Sequence, residues 1–195
     1  MGETGKIGSR LYQKLKEFAL TCEMAEIYQD KDDVSAFMLG FVLAAAKETV
    51  LIAYVYSNGI AGGFFALRMR DLFGTMVNTQ YIKRIRRLYA LRRQTHEEVP
   101  QAAEDQMENL LRFAKETGKI VSIALEDNEN NEIRGLVTSI DDRCVEIFQY
   151  DRDAKYDGDA IVYREDILYV RCDGMKENSI WMLLHAENDG AALDE

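Results

Sequence analysis

The stretch "FMLGFVLAAAKETVLIAYVYSNGIAGGFF", Phe37 to Phe65, decides the fold, because it is the most apolar part of the chain and admits three readings. A membrane helix needs about 20 apolar residues in a row, and Lys47 and Glu48 would fall near its middle, where each costs about 3 kcal/mol. A phosphate loop needs the GxxxxGK[ST] pattern leading into a helix, which "GIAGGFF" lacks. Two buried strands remain. They are expected at Gly40 to Ala46 and Thr49 to Tyr56, with Lys47 and Glu48 as the turn between them. The glycines of "GIAGG" then serve the turn from the third strand to the fourth.

A second stretch supports this choice. Shifted by 95 residues, "FMLGFVLAAAKETVLIAYVYSNGIAGGFFALRMRDL" lies without a gap over "EIRGLVTSIDDRCVEIFQYDRDAKYDGDAIVYREDI". Gly40 meets Gly135, Val42 meets Val137, Val50 meets Val145, Ile52 meets Ile147, Gly63 meets Gly158 and Asp71 meets Asp166. Upstream, Leu15, Phe18 and Ala19 meet Leu110, Phe113 and Ala114. The identities are few, and the shared order of apolar runs, glycines and turns is the stronger signal of a repeat.

The second copy is the more legible. "GKIVSIALEDNENNEIRGLVTSIDDRCVEIFQY" holds three runs rich in β-branched and aromatic residues, parted by the polar tip "EDNENNE" and the turn pair "DD". "DGDAIVYREDILYVRC" adds two strands around "RED", after an Asp-Gly hairpin signal. Ahead of them Met107, Leu110, Leu111 and Ala114 recur at helical spacing, and Gly118 is the natural C-cap. One helix followed by five strands is expected in each copy.

The bulk composition fits a folded chain. Its 195 residues suit two small domains, here expected at 1–95 and 96–195. With 47% hydrophobic and 30% charged residues and a single proline, long disordered linkers are not expected. The N-terminal "MGETGKIGSRLYQKLKEF" has neither the apolar run of a secretory signal nor the myristoylation pattern. Cys22, Cys144 and Cys172 are odd in number, scattered and without a CxxC, as suits reduced thiols in a cytoplasm. The net charge of −10 conceals an asymmetry: residues 1–95 hold 14 Lys and Arg against 9 Asp and Glu, and residues 96–195 hold 10 against 25. Any surface for nucleic acid is therefore expected in the first half.

The second copy resembles the Sm-like (LSm) fold, in which a helix precedes a strongly bent five-stranded antiparallel barrel. "IVSIALEDNENNEIRGLVTSIDDRCVEI" looks like its first motif and "AIVYREDILYV" like its second. "EIYQDKDDVSAFMLGFVLAAAKETVLIAY" with "FFALRMRDLF" is similar in outline. The resemblance implies a mainly β chain with helices, made of two tandem five-stranded Sm-like or SH3-like barrels, each after an α-helix. It also implies assembly through strands four and five, and a base pocket of an aspartate, an asparagine and an arginine. Asp141 and Arg164 stand at two of those positions and Tyr163 beside them, whereas Val145 replaces the asparagine and Glu165 the glycine that follows the arginine. Ala46 and Val50 replace the aspartate and asparagine in the first copy, so RNA does not follow from the fold alone.

The one concentrated basic segment is "YIKRIRRLYALRRQTHEEV". Ile82, Ile85, Leu88 and Tyr89 suit the apolar stripe of a helix, with Lys83, Arg84, Arg86, Arg87, Arg92 and Arg93 available to a partner. Two readings stand. It is a surface for RNA or an acidic partner, with Tyr81 and Tyr89 available for stacking, or a linker helix neutralised by the acidic half. Asp151, Asp153, Asp157 and Asp159 lack EF-hand spacing and read as a solvated hairpin tip. His96 and His185 have no metal-ligand neighbours at the usual spacing, and no hydrolase, zincin or nucleotide fingerprint occurs. Adjacent Asp141 and Asp142 point apart on a strand end and make a poor acid and base pair. Trp181 reads as a core anchor or an interface residue, and the tail "ENDGAALDE" as frayed.

The expectation is a non-enzymatic binding or assembly module without metal or cofactor. Its partners are copies of itself or another protein, with RNA at the basic segment as the alternative and no membrane.

Overall fold

The structure, a computed structural model, describes residues 4–33, 35–126 and 128–188, with side chains for all of these except 4–9, 128–131 and 187–188. Most of the tail "ENDGAALDE" therefore lies outside the described residues. The chain is mainly β and divides into two compact units, Met1–Leu110 and Leu111–Glu195.

The first unit runs α1 (Thr4–Thr21), β1 (Met24–Tyr28), β2 (Phe37–Ala45), β3 (Thr49–Val55), β4 (Ala61–Arg68), a 3-10 turn (Met69–Asp71), β5 (Gly74–Val77) and α2 (Gln80–Leu91). Helix α3 (Gln106–Thr117) contains the division between units. The second unit continues with β6 (Ile120–Leu125), β7 (Asn128–Ile140), β8 (Cys144–Tyr150), β9 (Tyr156–Tyr163), a 3-10 turn (Arg164–Asp166), β10 (Ile167–Cys172) and α4 (Met175–Asn188). The opening stretch is thus strands, its two charges lie in the turn from β2 to β3, and no described helix is long and apolar enough to cross a membrane.

All pairings within the units are antiparallel, in the order β5-β1-β2-β3-β4 in the first and β10-β6-β7-β8-β9 in the second. Strand register repeats at the interval read from the sequence. Val42 opposes Ile52 as Val137 opposes Ile147, and Thr49 opposes Arg68 as Cys144 opposes Tyr163. The bulges recur as well, between Val42 and Ala44 and between Val137 and Ser139. Gly40 and Gly135 explain why this pair of glycines is shared. A Cβ on Gly40 would lie 2.4 Å from Ala53 O, and one on Gly135 would lie 2.0 Å from Phe148 O, so strand three crosses too closely for any side chain. Gly63 and Gly158 both take positive φ (80° and 104°) inside the fourth strand.

Four expectations change. In neither unit does the fourth strand pair with the fifth, so the sheets are open rather than closed barrels. The reason is local: a three-residue 3-10 turn redirects the chain, and the fifth strand lands on the outer side of the first. The strand-four and strand-five edges that the resemblance implies, Phe65 to Met69 with Leu72 to Met76 and Ala160 to Arg164 with Ile167 to Arg171, correspond to β4 with a shorter β5 and to β9 with β10. Strand β7 starts at Asn128, so most of "EDNENNE" is strand rather than hairpin tip; Asp127 lies outside the described residues. Asp157 and Gly158 lie inside β9, and the turn before them is built by Asp151, whose Oδ1 accepts from the amides of Asp153 and Lys155.

Each unit adds a helix after its fifth strand. In the first, Ile82 and Ile85 of α2 pack on Met24, Leu39 and Val55. In the second, Ile180 of α4 packs on Ile120 and Ala154. A carboxylate–hydroxyl hydrogen bond fastens each helix start to the first strand. Thr79 Oγ1 donates to buried Glu26 on β1 (2.6 Å), and Ser122 Oγ on β6 donates to buried Glu177 in the first turn of α4. Glu26 opposes Leu39 and Ser122 opposes Arg134, each one residue past the pairing of the shared glycine, so the two bonds occupy one register position with the carboxylate exchanged between strand and helix.

Candidate functional site

The basic segment forms α2 for visible reasons. Thr79 caps its start, accepting from Ile82 N at 3.1 Å. Arg93 ends it in the left-handed region (φ 53°), and Gln94 N closes on Tyr89 O at 3.1 Å. With Ile82 and Ile85 turned to the core, Lys83, Arg84, Arg86 and Arg87 are exposed, as are Arg92 and Arg93 beyond the last turn. Arg86 lies 3.6 Å from Glu23, and Arg92 Nε donates to Asn58 O at 3.0 Å. Lys83, Arg84, Arg87 and Arg93 have no acidic partner among the described residues.

The tyrosines of this helix are partly buried and packed on their own unit. Tyr81 meets Phe37 edge-on at 5.6 Å, and Tyr89 lies parallel to His96 at 5.7 Å. The Tyr89 hydroxyl donates to His96 Nδ1 and His96 Nε2 donates to Tyr54 O, both at 2.9 Å, which is the tautomer a carbonyl acceptor demands. His96 therefore fastens the segment after α2 within its own unit. What α2 exposes most fully is charge, at Lys83, Arg84, Arg86 and Arg87.

In the second unit the structure brings Asp141 and Arg164 together. Asp141 Oδ1 accepts from the amides of Arg143 (2.7 Å) and Cys144 (2.6 Å), and these bonds hold its carboxyl below the usual carboxylate range. Arg164 Nη1 donates to Asp141 O at 3.1 Å. The aspartate is thus occupied as a turn former, while Tyr163 is exposed at the end of β9 and Val145 is buried. A hollow of about 310 Å³ lies nearby in sequence, lined by Arg112, Lys115, Glu116 and Ile140, and neither Tyr163 nor Arg164 lines it.

The edge expected at strand four of the second copy, Ala160 to Arg164, falls at β9, which among the described residues pairs only with β8 and exposes Ile161 (73%), Tyr163 (53%) and Tyr156. Sequence reasoning missed two features. The first is a charged cluster beside Glu177: Arg171 contacts Glu177 (2.8 Å) and Glu132 (3.2 Å), and Glu132 also accepts from Arg134 and Tyr169. Its members are scattered from 122 to 177, so no local pattern marks them. The second is α4, where Trp181 is partly exposed and stacked on His185 at 3.8 Å, not a core anchor. No group of three or more His, Cys, Asp or Glu side chains placed to hold a metal occurs among the described residues.

Against protein-family models, curated proteins and solved structures, the chain matches none.

Proposed function

We propose that this chain is a non-enzymatic assembly module of two Sm-like units, acting in a reducing compartment such as the cytoplasm through association with copies of itself. The observation that carries the reading is the β9 edge: eight residues with one partner strand and outward apolar side chains at Ile161 and Tyr163. An open edge presents a row of unpaired backbone donors and acceptors and is a template for another strand. Its partner is β5 of a second copy. Strand β5, "GTMV", also has a single partner strand and carries no charge, whereas two β9 edges would bring Asp157 and Asp159 of each copy together. Strands β9 and β5 are the fourth and fifth of their units, the strands by which Sm-like proteins build rings.

The test is solution mass at micromolar concentration and low salt. The native chain is expected to form species heavier than one chain, and Ile161→Lys to remove those joined through β9. Equal mass distributions for the two proteins would refute the reading.

Lys83, Arg84 and Arg87 on α2 and Arg93 just beyond it, exposed and without acidic partners among the described residues, favour a second function, binding of RNA by its phosphates. Like charges this close on one helix repel each other unless a polyanion neutralises them. Replacing Arg84, Arg86 and Arg87 with Ala is expected to abolish retention of mixed RNA, and native binding to fall steeply with added salt. Absence of binding at about 50 mM salt, where phosphate contacts are strong, would remove this function.

A further inference from the structure

Helix α4 turns Glu177, Ile180 and Leu184 towards its sheet, and the opposite side is unusual for a surface helix. Met175, Ser179, Met182 and Ala186 recur at intervals of four, three and four residues, which at 3.6 residues per turn makes one stripe. Met175 is 66% and Met182 65% exposed, and no residue of the stripe is charged. Single exposed methionines are ordinary, but a continuous uncharged stripe on a chain of net charge −10 marks a contact surface.

The stripe alternates large and small residues, and that order identifies its occupant. Turned end for end about a point midway between Ser179 and Met182, it is its own complement: Met175 falls on Ala186 and Met182 on Ser179. Two antiparallel copies place every methionine against a small residue, so the ridges of one helix enter the grooves of the other. A parallel pair would oppose Met to Met and leave Ser opposite Ser. The Ser179 hydroxyl already donates to Met175 O at 2.9 Å, so it enters an apolar contact without losing its hydrogen bond. One shoulder of the stripe holds Lys176 and Leu183, the other Asn178 and His185, so the pairing brings no carboxylate of the described α4 side chains against another.

We infer that α4 is a two-fold, antiparallel contact between two copies of this chain, separate from the edge of β9. Such a contact is isologous and therefore closes at two copies. A three-turn helix face is smaller than the roughly 800 Å² per partner of a standard stable interface, so the dimer forms in proportion to concentration.

The experiment uses the full chain carrying Ile161→Lys, which removes pairing through β9, in sedimentation from about 5 to 500 µM, a range suited to an interface below standard size. Circular dichroism verifies the fold of each variant. The single variant is expected to pass from one chain to two as concentration rises. Adding Met182→Lys should weaken dimerisation at least ~10-fold. Ser179→Met and Met182→Ser should each weaken it, and the two together, which exchange the large and small positions, should recover most of the loss. A single-chain mass over the whole range, no effect of Met182→Lys, or a double exchange no better than either part would overturn the inference. The assembly reading of β9 is judged separately, by comparing the native chain with Ile161→Lys.

Discussion

At the scale of single residues, two buried acids set the pH response. Burial, then the hydrogen bond from its hydroxyl to Glu26 (2.6 Å), pushes the Tyr28 phenol up to about 12. Because the folded value lies above the unfolded one near 10, Tyr28 contributes stability that is complete below about pH 10 and lost as pH rises towards 12. In a titration at 295 nm, Tyr28→Phe should remove a component centred near pH 12, and the variant should lose less stability than the native protein across that window. Burial would raise the Glu132 carboxyl, but Arg134, Tyr169 and Arg171 together hold it below its usual value. The sign is then opposite: its contribution is present above the unfolded pKa of about 4.3 and disappears as pH falls through the folded one. Glu132→Gln is expected to be less stable at neutral pH and to lose less on acidification, as urea unfolding at pH 7 and pH 3 would reveal. Tyr169 and Arg171 were illegible as partners of Glu132 because they reach it from a strand some forty residues on, whereas Arg134 stands two residues from Glu132, and Tyr28 two from Glu26, on one strand face.

At the scale of elements, glycine placement and strand register carry the fold. A Cβ at position 135 meets a backbone oxygen that cannot move without disturbing the β7–β8 ladder. Gly135→Ala is therefore expected to cost about 3 kcal/mol, the upper range for overpacking, and Gly40→Ala a similar amount; denaturant midpoints compared with an exposed control such as Lys16→Ala measure it. Both positions were marked by the repeat, since a glycine at the same place in both copies points to close approach. The trailing helices were unequally legible. Helix α2 announced itself by apolar spacing, whereas α4 has apolar residues on all sides and gives almost no periodic signal. The Asp-Gly pair misled for a related reason, since its glycine serves a positive φ within a strand rather than a turn.

At the scale of the whole molecule, β9 and α4 are separate surfaces on one unit, and their effects on mass should be independent. The double variant Ile161→Lys with Met182→Lys is expected to be a single chain at concentrations where each single variant still associates, which light scattering on the three proteins would test. What the sequence by itself determined is the class of fold: a mainly β chain, with β2 and β3 close to their expected bounds and a register that repeats at 95 residues. Alternation of apolar residues, turn chemistry and paired glycines are local properties, and they suffice to place strands. Only the tertiary structure decided that the sheets stay open, that Tyr81 and Tyr89 turn inward, and that apolar side chains on β9 and α4 face water. The physical reason is that an apolar residue looks the same in sequence whether its neighbour is a core or a partner. Which of the two it meets depends on where the fifth strand and the trailing helix come to rest.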